Sequence, residues 1–419
     1  MREKKRKGVN AITFLFTLVY FTSYLLRKNL GVMLVKVCAD TGWAESALAI
    51  VMTGLTVFYG GGQLISGWLG DKMPPQRLIL CGLSVGVLAN IGVYFTHSIP
   101  VLAVLWCING FAHSMIWAPM VKLMALYLDD KEYGYCMMRI MWGSSFSTIF
   151  LRLFCPLMLL FINWRGIMLI LAAFGIGVVL AFVWMGKTLF GTPLNAIPAG
   201  QSAEQAEGEA VPTVVPLPRF AWPMLLFVLI GIIMHGALRD GVDMWMPSFL
   251  CQTFGMPEEN AIFSTVILSV FGLFAFTLFD WLYRKFFRDE MTCSTAAFGV
   301  ATVAAIVLYI MTRSGGPAIV SMILMAVIIA CVMGVNLMLV ALLPKRFLKS
   351  GRLAAFTGIL DAAAYLGSGI ATYGFAALFE NFGWNTTIFV WFLVAAAGLA
   401  FCGVAIPLWS RFRRTYSDV

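Results

Sequence analysis

An arginine lies deep inside the first apolar stretch of the chain. The run Tyr20-Phe-Thr-Ser-Tyr24-Leu-Leu-Arg27-Lys28-Asn29 belongs to a segment, residues 9–37, long enough to cross a bilayer. A guanidinium stays charged at any accessible pH, and placing it mid-bilayer costs at least about 2.5–3.5 kcal/mol on insertion scales. That cost implies a carboxylate, a water-filled cavity or an anionic ligand beside it. Tyr24 precedes Arg27 by three residues and Tyr20 by seven, so both share its helix face. That gives one cation and two phenol hydroxyls pointing the same way. No acid lies near Arg27 on that face.

A second intramembrane arginine occurs in His235-Gly-Ala-Leu-Arg239-Asp240-Gly-Val-Asp243-Met-Trp245-Met-Pro247. Two guanidiniums can clamp a doubly charged group such as phosphate, because each pairs bidentately with it. Arg239 also has local competitors. Asp240 is adjacent and Asp243 stands at the i,i+4 spacing of a helical ion pair, so a purely structural pair is the alternative reading. His235 lies four residues before Arg239, on its face, and is either a site residue or packing.

Other polar groups in apolar surroundings could complete or balance such a site. Asp361, in Gly358-Ile-Leu-Asp361-Ala, is a lone carboxylate within a span and hence a functional candidate. It could neutralise Arg239 or Arg152, carry a coupling proton, or merely tie two helices together. Asp240 and Asp243 raise the same question, since acids beside an anion-binding arginine oppose the anion unless paired. Arg139, Arg152, Lys122 and His113 are further cationic candidates. Arg139 also reads as an interfacial residue snorkelling to the surface, and His113 as a satisfied structural histidine.

The elements that must position these residues are membrane helices. Of 419 residues, 61% are hydrophobic and 12% charged, with mean hydropathy +0.88, where soluble domains carry about 25% charge. Apolar spans fall near 9–37, 46–70, 78–96, 100–128, 135–161, 165–186, 220–250, 259–282, 291–312, 317–343, 352–379 and 385–409. The small, polar stretch 187–219 between the sixth and seventh reads as a flexible tether. The expected domains are therefore a six-helix half over 1–186, the linker 187–219, a second half over 220–410 and a tail at 411–419.

The +9 net charge resides in short loops, not on a soluble nucleic-acid-binding domain. Basic residues crowd the amino terminus, the linker, the tail and alternate loops, while the opposite side shows Arg165 and Arg313, with Lys36 near a helix end. The positive-inside bias then puts both termini and the linker in the cytoplasm. The basic amino terminus followed by an apolar run reads as an uncleaved first helix rather than a signal peptide. The nine cysteines form no CxxC pair, so neither a disulfide framework nor a metal site is expected. No zinc-protease helix, nucleophile elbow or paired catalytic acids occur, so neither an enzyme nor a cofactor is expected.

Two six-helix halves joined by a cytoplasmic linker resemble the major facilitator superfamily, with an all-α fold of twelve transmembrane helices, pseudo-symmetric halves and a site near the midplane. Gly67-Trp-Leu-Gly70-Asp71-Lys72-Met-Pro-Pro-Gln-Arg77 resembles that superfamily's signature loop. There Gly67, Asp71 and Arg77 would form a cytoplasmic latch, the alternative being a plain tight turn. Phe279-Asp280-Trp-Leu-Tyr-Arg284-Lys285, its counterpart, departs from the pattern.

Within the superfamily, Tyr-x-x-x-Tyr-x-x-Arg-Lys-Asn at 20–29 and Arg-x-Gly-Val-x-x-Trp-x-Pro at 239–247 resemble the organophosphate:phosphate antiporters. Further matches are Gly110-Phe-Ala-His113-Ser-Met-Ile-Trp117-Ala-Pro119, Ala355-Phe356-Thr357-Gly358 and Phe382-Gly383-Trp384. The resemblance implies that Arg27 and Arg239 bind a substrate phosphate, that Tyr20 and Tyr24 line the site, and that an organic phosphate exchanges for inorganic phosphate. Where glycerol-phosphate members carry a lysine after Tyr-Gly-x-x, the run Tyr59-Gly-Gly-Gly62-Gln63 places Gln63. Where they carry a fifth-helix histidine, Ser144 or a neighbour stands. The expected protein is a monomeric inner-membrane or plasma-membrane carrier of a small anion. Proton-coupled transport of a non-phosphorylated metabolite and a transporter-like sensor of sugar phosphate are the alternatives.

Overall fold

The computed structural model describes residues 2–43, 45–190, 215–257, 260–261 and 264–417, and every regular element among them is helical. The tether expected over 187–219 lies mostly outside the described residues. An all-helical chain follows from the solvent. In hydrocarbon each backbone N–H and C=O must find its partner within its own segment, and a helix does that.

The first unit holds the described residues of Met1–Val215 together with Phe347–Ala362. It contains α1 (Arg2–Val32), α2 (Leu34–Thr41), α3 (Glu45–Lys72), α4 (Pro75–Phe95), α5 (Ile99–Tyr127), α6 (Asp130–Leu159) and α7 (Trp164–Phe190). Proline opens α4 and stands in the first turn of α5, where its missing N–H costs nothing. Asp129 starts α6 through a capping box with Glu132. The expected single span 9–37 is instead broken: α1 stops at Val32, Met33 leaves helical geometry at φ −97°, ψ 6°, and α2 resumes to end on the left-handed Gly42. Leu26, Leu30, Met33, Val51, Trp106, Trp164 and Ile167 join one buried apolar cluster of this unit.

The second unit holds Pro216–Arg346 and Ala363–Val419. It contains α8 (Ala221–Phe254), α9 (Val266–Leu282), α10 (Glu290–Arg313), α11 (Ala318–Val335) and most of α12 (Leu353–Phe412), whose first turns belong to the first unit. Gly383 interrupts α12 at φ 78°, ψ 171°, between the last two expected spans. After α11 the chain continues in wider and then tighter turns, as a π-helix at Asn336–Leu342 and a 3-10 helix at Leu343–Ser350.

Eleven helices among the described residues are long and apolar enough to cross a membrane. The 28-residue α3 stands at the remaining expected span, 46–70. Large apolar side chains such as Phe14, Leu160, Phe161 and Trp184 are exposed, as lipid-facing residues are.

Candidate functional site

The two arginines are best described each within its own unit. In the first, Arg27 is 2% exposed. Its guanidinium carbon lies 4.1 Å from the ring centroid of Tyr24 and 4.4 Å from that of Tyr59. The cation is thus flanked by aromatic rings whose quadrupoles attract it. Tyr20 meets Tyr24 edge-on at 5.1 Å and Trp117 at 5.1 Å. Arg27, Tyr24, Tyr59 and Asp361 all lie within electrostatic reach of the Tyr20 phenol. The structure therefore assembles Tyr20, Tyr24, Arg27 and Asp361 into one neighbourhood. It adds Tyr59 and Trp117, which sequence reasoning did not place there.

A buried amide cluster holds the arginine's own turn. The Leu26 carbonyl accepts from Asn90 Nδ2 and Asn109 Nδ2, both at 3.0 Å. Asn29 Nδ2 donates to Asn90 Oδ1 at 2.8 Å, and Asn29 Oδ1 accepts from the Leu30 N–H at 2.8 Å. All three asparagines are fully buried. The residue preceding Arg27 is thereby pinned to α4 and α5. Asn29, part of the quoted motif, was not expected to act this way.

Gln63 is fully buried on α3, one turn after Tyr59, and neither atom of its amide has a hydrogen-bond partner among the described residues. Close backbone approach explains the nearby glycines. A Cβ on Gly67 would sit 2.6 Å from the Ala354 carbonyl, and one on Gly358 would collide with that of Gln63. Asp71 closes this contact: its carboxylate accepts from the N–H groups of Ala354 at 3.0 Å and Ala355 at 2.9 Å, at the start of α12. Negative charge there complements the helix dipole. Arg77 is exposed in the first turn of α4.

The other cationic candidates differ in their surroundings. Lys122, 1% exposed, donates to the Gly70 carbonyl at 2.9 Å and lies 3.5 Å from Asp71. It braces the end of α3. His113 Nδ1 shares a 3.0 Å hydrogen bond with Ser23 Oγ, its ring packs against Gly86, and its buried Nε2 has no hydrogen-bond partner among the described residues. Arg139 is exposed, with its guanidinium 5.0 Å from the Trp142 ring, as an interfacial residue would be. Arg152 is half-buried on α6. Ser144 returns its hydroxyl to the Met141 carbonyl at 2.8 Å.

In the second unit, Arg239 is gripped by its sequence neighbour. Nε donates to Asp240 Oδ1 at 3.0 Å and a terminal nitrogen to Oδ2 at 2.8 Å. The Ser368 hydroxyl also donates to Asp240 Oδ2, and the Tyr365 ring centroid is 5.4 Å from the guanidinium. His235 is fully buried one turn earlier, and neither ring nitrogen hydrogen-bonds Arg239 or Asp240. Asp243 is half-buried one turn later. The signature-loop counterpart forms a local i,i+4 pair, Arg284 to Asp280 at 2.8 Å. Among the described residues no group of His, Cys, Asp and Glu could hold a metal ion.

The chain is similar to several known proteins. The glycerol-3-phosphate transporter of Bacillus subtilis (strain 168) is 23% identical over 389 residues, covering 87% of this chain and 85% of that protein. A probable hexose phosphate transport protein of Chlamydia pneumoniae is 24% identical over 423 residues, covering 93% and 89%. The membrane sensor protein UhpC of Salmonella typhimurium is 22% identical over 412 residues, covering 92% and 87%. Among solved structures, that of FucP, a Major Facilitator Superfamily transporter in the outward conformation, matches with a TM-score of 0.73 at 12% identity. It covers 94% of this chain and 98% of that one, a likeness of fold. The Major Facilitator Superfamily model itself matches residues 16–350. With apolar helices throughout and four-fifths of its length matched, the chain belongs to the Major Facilitator Superfamily.

Proposed function

We propose that this transporter carries a small organic phosphate across the membrane by alternating access, in exchange for inorganic phosphate. The observation that carries the reading is Arg27: a permanently charged guanidinium, 2% exposed within a membrane helix and flanked by Tyr24 and Tyr59. The relatives named glycerol-3-phosphate transporter and hexose phosphate transport protein support phosphate monoesters as the substrate class. Arg27 is the anion contact of the first unit and Arg239 that of the second. Tyr20, Tyr24 and Gln63 line the site, and His235 supports Arg239. Gln63 offers an unspent amide for a substrate hydroxyl or phosphoryl oxygen. Asp361 balances charge near Tyr20, with Asp243 and Arg152 as further charge-balancing groups. Gly67, Asp71 and Arg77 form the latch, with Asp71 breaking from the start of α12 as the carrier turns over. A ligand drives that step only through different affinities for the two states.

The basic loops support an orientation with both termini and the linker in the cytoplasm, in the cell's inner or plasma membrane, and a monomer suffices for the mechanism. The two halves are taken as 1–186 and 220–410, joined by 187–219. Liposomes loaded with inorganic phosphate and offered labelled glycerol 3-phosphate or phosphate test the reading. Uptake that depends on internal phosphate supports exchange. Uptake driven by a proton gradient without internal phosphate points instead to a proton-coupled carrier, with Asp361 as the group to titrate. Equal uptake by wild type and Arg27→Ala overturns the role of Arg27.

A further inference from the structure

The fork of Arg239 is already filled. Asp240 meets it through two parallel N–H···O contacts of 3.0 and 2.8 Å, the geometry by which arginine holds a carboxylate or a phosphate. Sequence neighbours on a helix do not face each other, yet these two side chains meet. The hydroxyl of Ser368 on α12 donates to the same carboxylate and holds it in place. The two helices approach closely, backbone to backbone, beside this contact. A Cβ on Gly236 would collide with the Ala364 backbone, and one on Gly367 with that of Ile233. Yet the pair is open to a ligand, since the side chains of Arg239 and Asp240 keep 14% and 35% of their exposure. His235, buried one turn before Arg239, contributes no hydrogen bond to either partner among the described residues.

Resting on the anion-transport reading above, we propose that Asp240 is a resident stand-in for the substrate's anionic group and thereby a specificity-determining residue. It fills the Arg239 fork in the empty carrier, and an incoming anion binds only by displacing it. The apparent affinity is lowered by the fraction of time the fork is taken. The displacement also selects. A phosphate monoester brings up to two negative charges and three oxygens, and outcompetes a carboxylate. A simple carboxylate substrate offers Arg239 no more than Asp240 already does. The acid beside the arginine, which opposes anion binding in general, thus filters for phosphate over carboxylate.

Purified protein in liposomes tests this with inorganic phosphate as the probe and acetate as the carboxylate competitor. Asp240→Asn keeps the shape and removes the charge. The expected result is a half-saturating phosphate concentration about tenfold lower, with acetate now competing. Ser368→Ala, which changes no charge, shifts both readouts the same way by a smaller factor. A merely structural ion pair predicts the opposite, weaker phosphate binding in Asp240→Asn. Unchanged or weaker phosphate binding in that variant overturns the proposal. Should Asp240→Asn fail to reach the membrane, an unchanged phosphate affinity in Ser368→Ala overturns it. A wild-type protein that moves neither phosphate nor any phosphate monoester overturns the transport reading, and this proposal with it. An active wild type with an unaltered Asp240→Asn overturns the proposal alone.

Discussion

The guanidinium of Arg27 on α1 stands 4.4 Å from the ring centroid of Tyr59 on α3, so the charge buried within the chain's first membrane helix is bracketed by two helices. Tyr24 supplies the second ring from Arg27's own helix at 4.1 Å. The site in the first unit is built around this aromatic bracket.

Arg27→Ala should lose transport while still inserting and purifying as a monodisperse protein. Removing one partner from a buried charge interaction costs about 2–5 kcal/mol, enough to reduce uptake to background in the liposome assay. Arg27→Lys keeps the charge without the planar fork and should recover only part of the rate. Full activity in the lysine variant would remove the case for two-pronged contact.

The bracket makes separate predictions for ring and hydroxyl. Tyr59→Phe retains the aromatic face and should leave KM close to wild type. Tyr59→Leu removes it and should raise KM by roughly tenfold, given about 0.5–2 kcal/mol for a cation over a ring. Equal kinetics for the two variants would show that the ring contributes nothing to the guanidinium.

Asn90 uses one amide to hold the Leu26 and Gly86 carbonyls, at 3.0 and 2.9 Å, and to accept from Asn29. Asn90→Leu leaves buried groups unsatisfied, each worth about 1–3 kcal/mol. Lower thermal stability in detergent is expected, with a fall in kcat of roughly a hundredfold if Arg27 shifts by even about 1 Å. Asn90→Asp retains an acceptor for Asn29 but loses both donors to the carbonyls, and should behave like the leucine variant. A variant with native melting and native kinetics would show that the cluster positions nothing.

Asp71 bonds two backbone N–H groups at the start of α12. Burial raises its pKa above the usual carboxylate range, while those N–H groups and Lys122 pull it back. Asp71→Asn keeps one acceptor oxygen, and Asp71→Ala keeps none. Turnover should fall in the order wild type, Asn, Ala, with substrate affinity moving far less, because the contact acts between states rather than on the ligand. A change confined to affinity would contradict a latch.

Single-helix geometry was legible beforehand. Tyr24 and Arg27 share a face because three residues make nearly a turn, and they do meet. Pairings across helices were not. Tyr59 and Trp117 stood inside quoted motifs, yet nothing in one sequence says which helix a ring will face. Asn90 and Asn109 carried a readable signal, a polar amide in an apolar span, but their shared acceptor, the Leu26 carbonyl, is invisible without the fold. Lys122 went astray for a related reason. A lysine in a span suggests a ligand contact, whereas here the end of α3 offers a carbonyl and a carboxylate to it locally. The break at Met33 has no proline to announce it, and arises where the helix passes beyond the asparagine cluster.

Trp117 has one more consequence. Its indole lies 5.1 Å from the Tyr20 ring, which touches Tyr24 beside Arg27, so the site contains its own fluorophore. The chain has thirteen tryptophans, and subtracting the emission of a Trp117→Phe variant isolates this one. Filling the site should then be visible as quenching or a colour shift in unlabelled protein, a direct optical titration of ligand against the empty carrier.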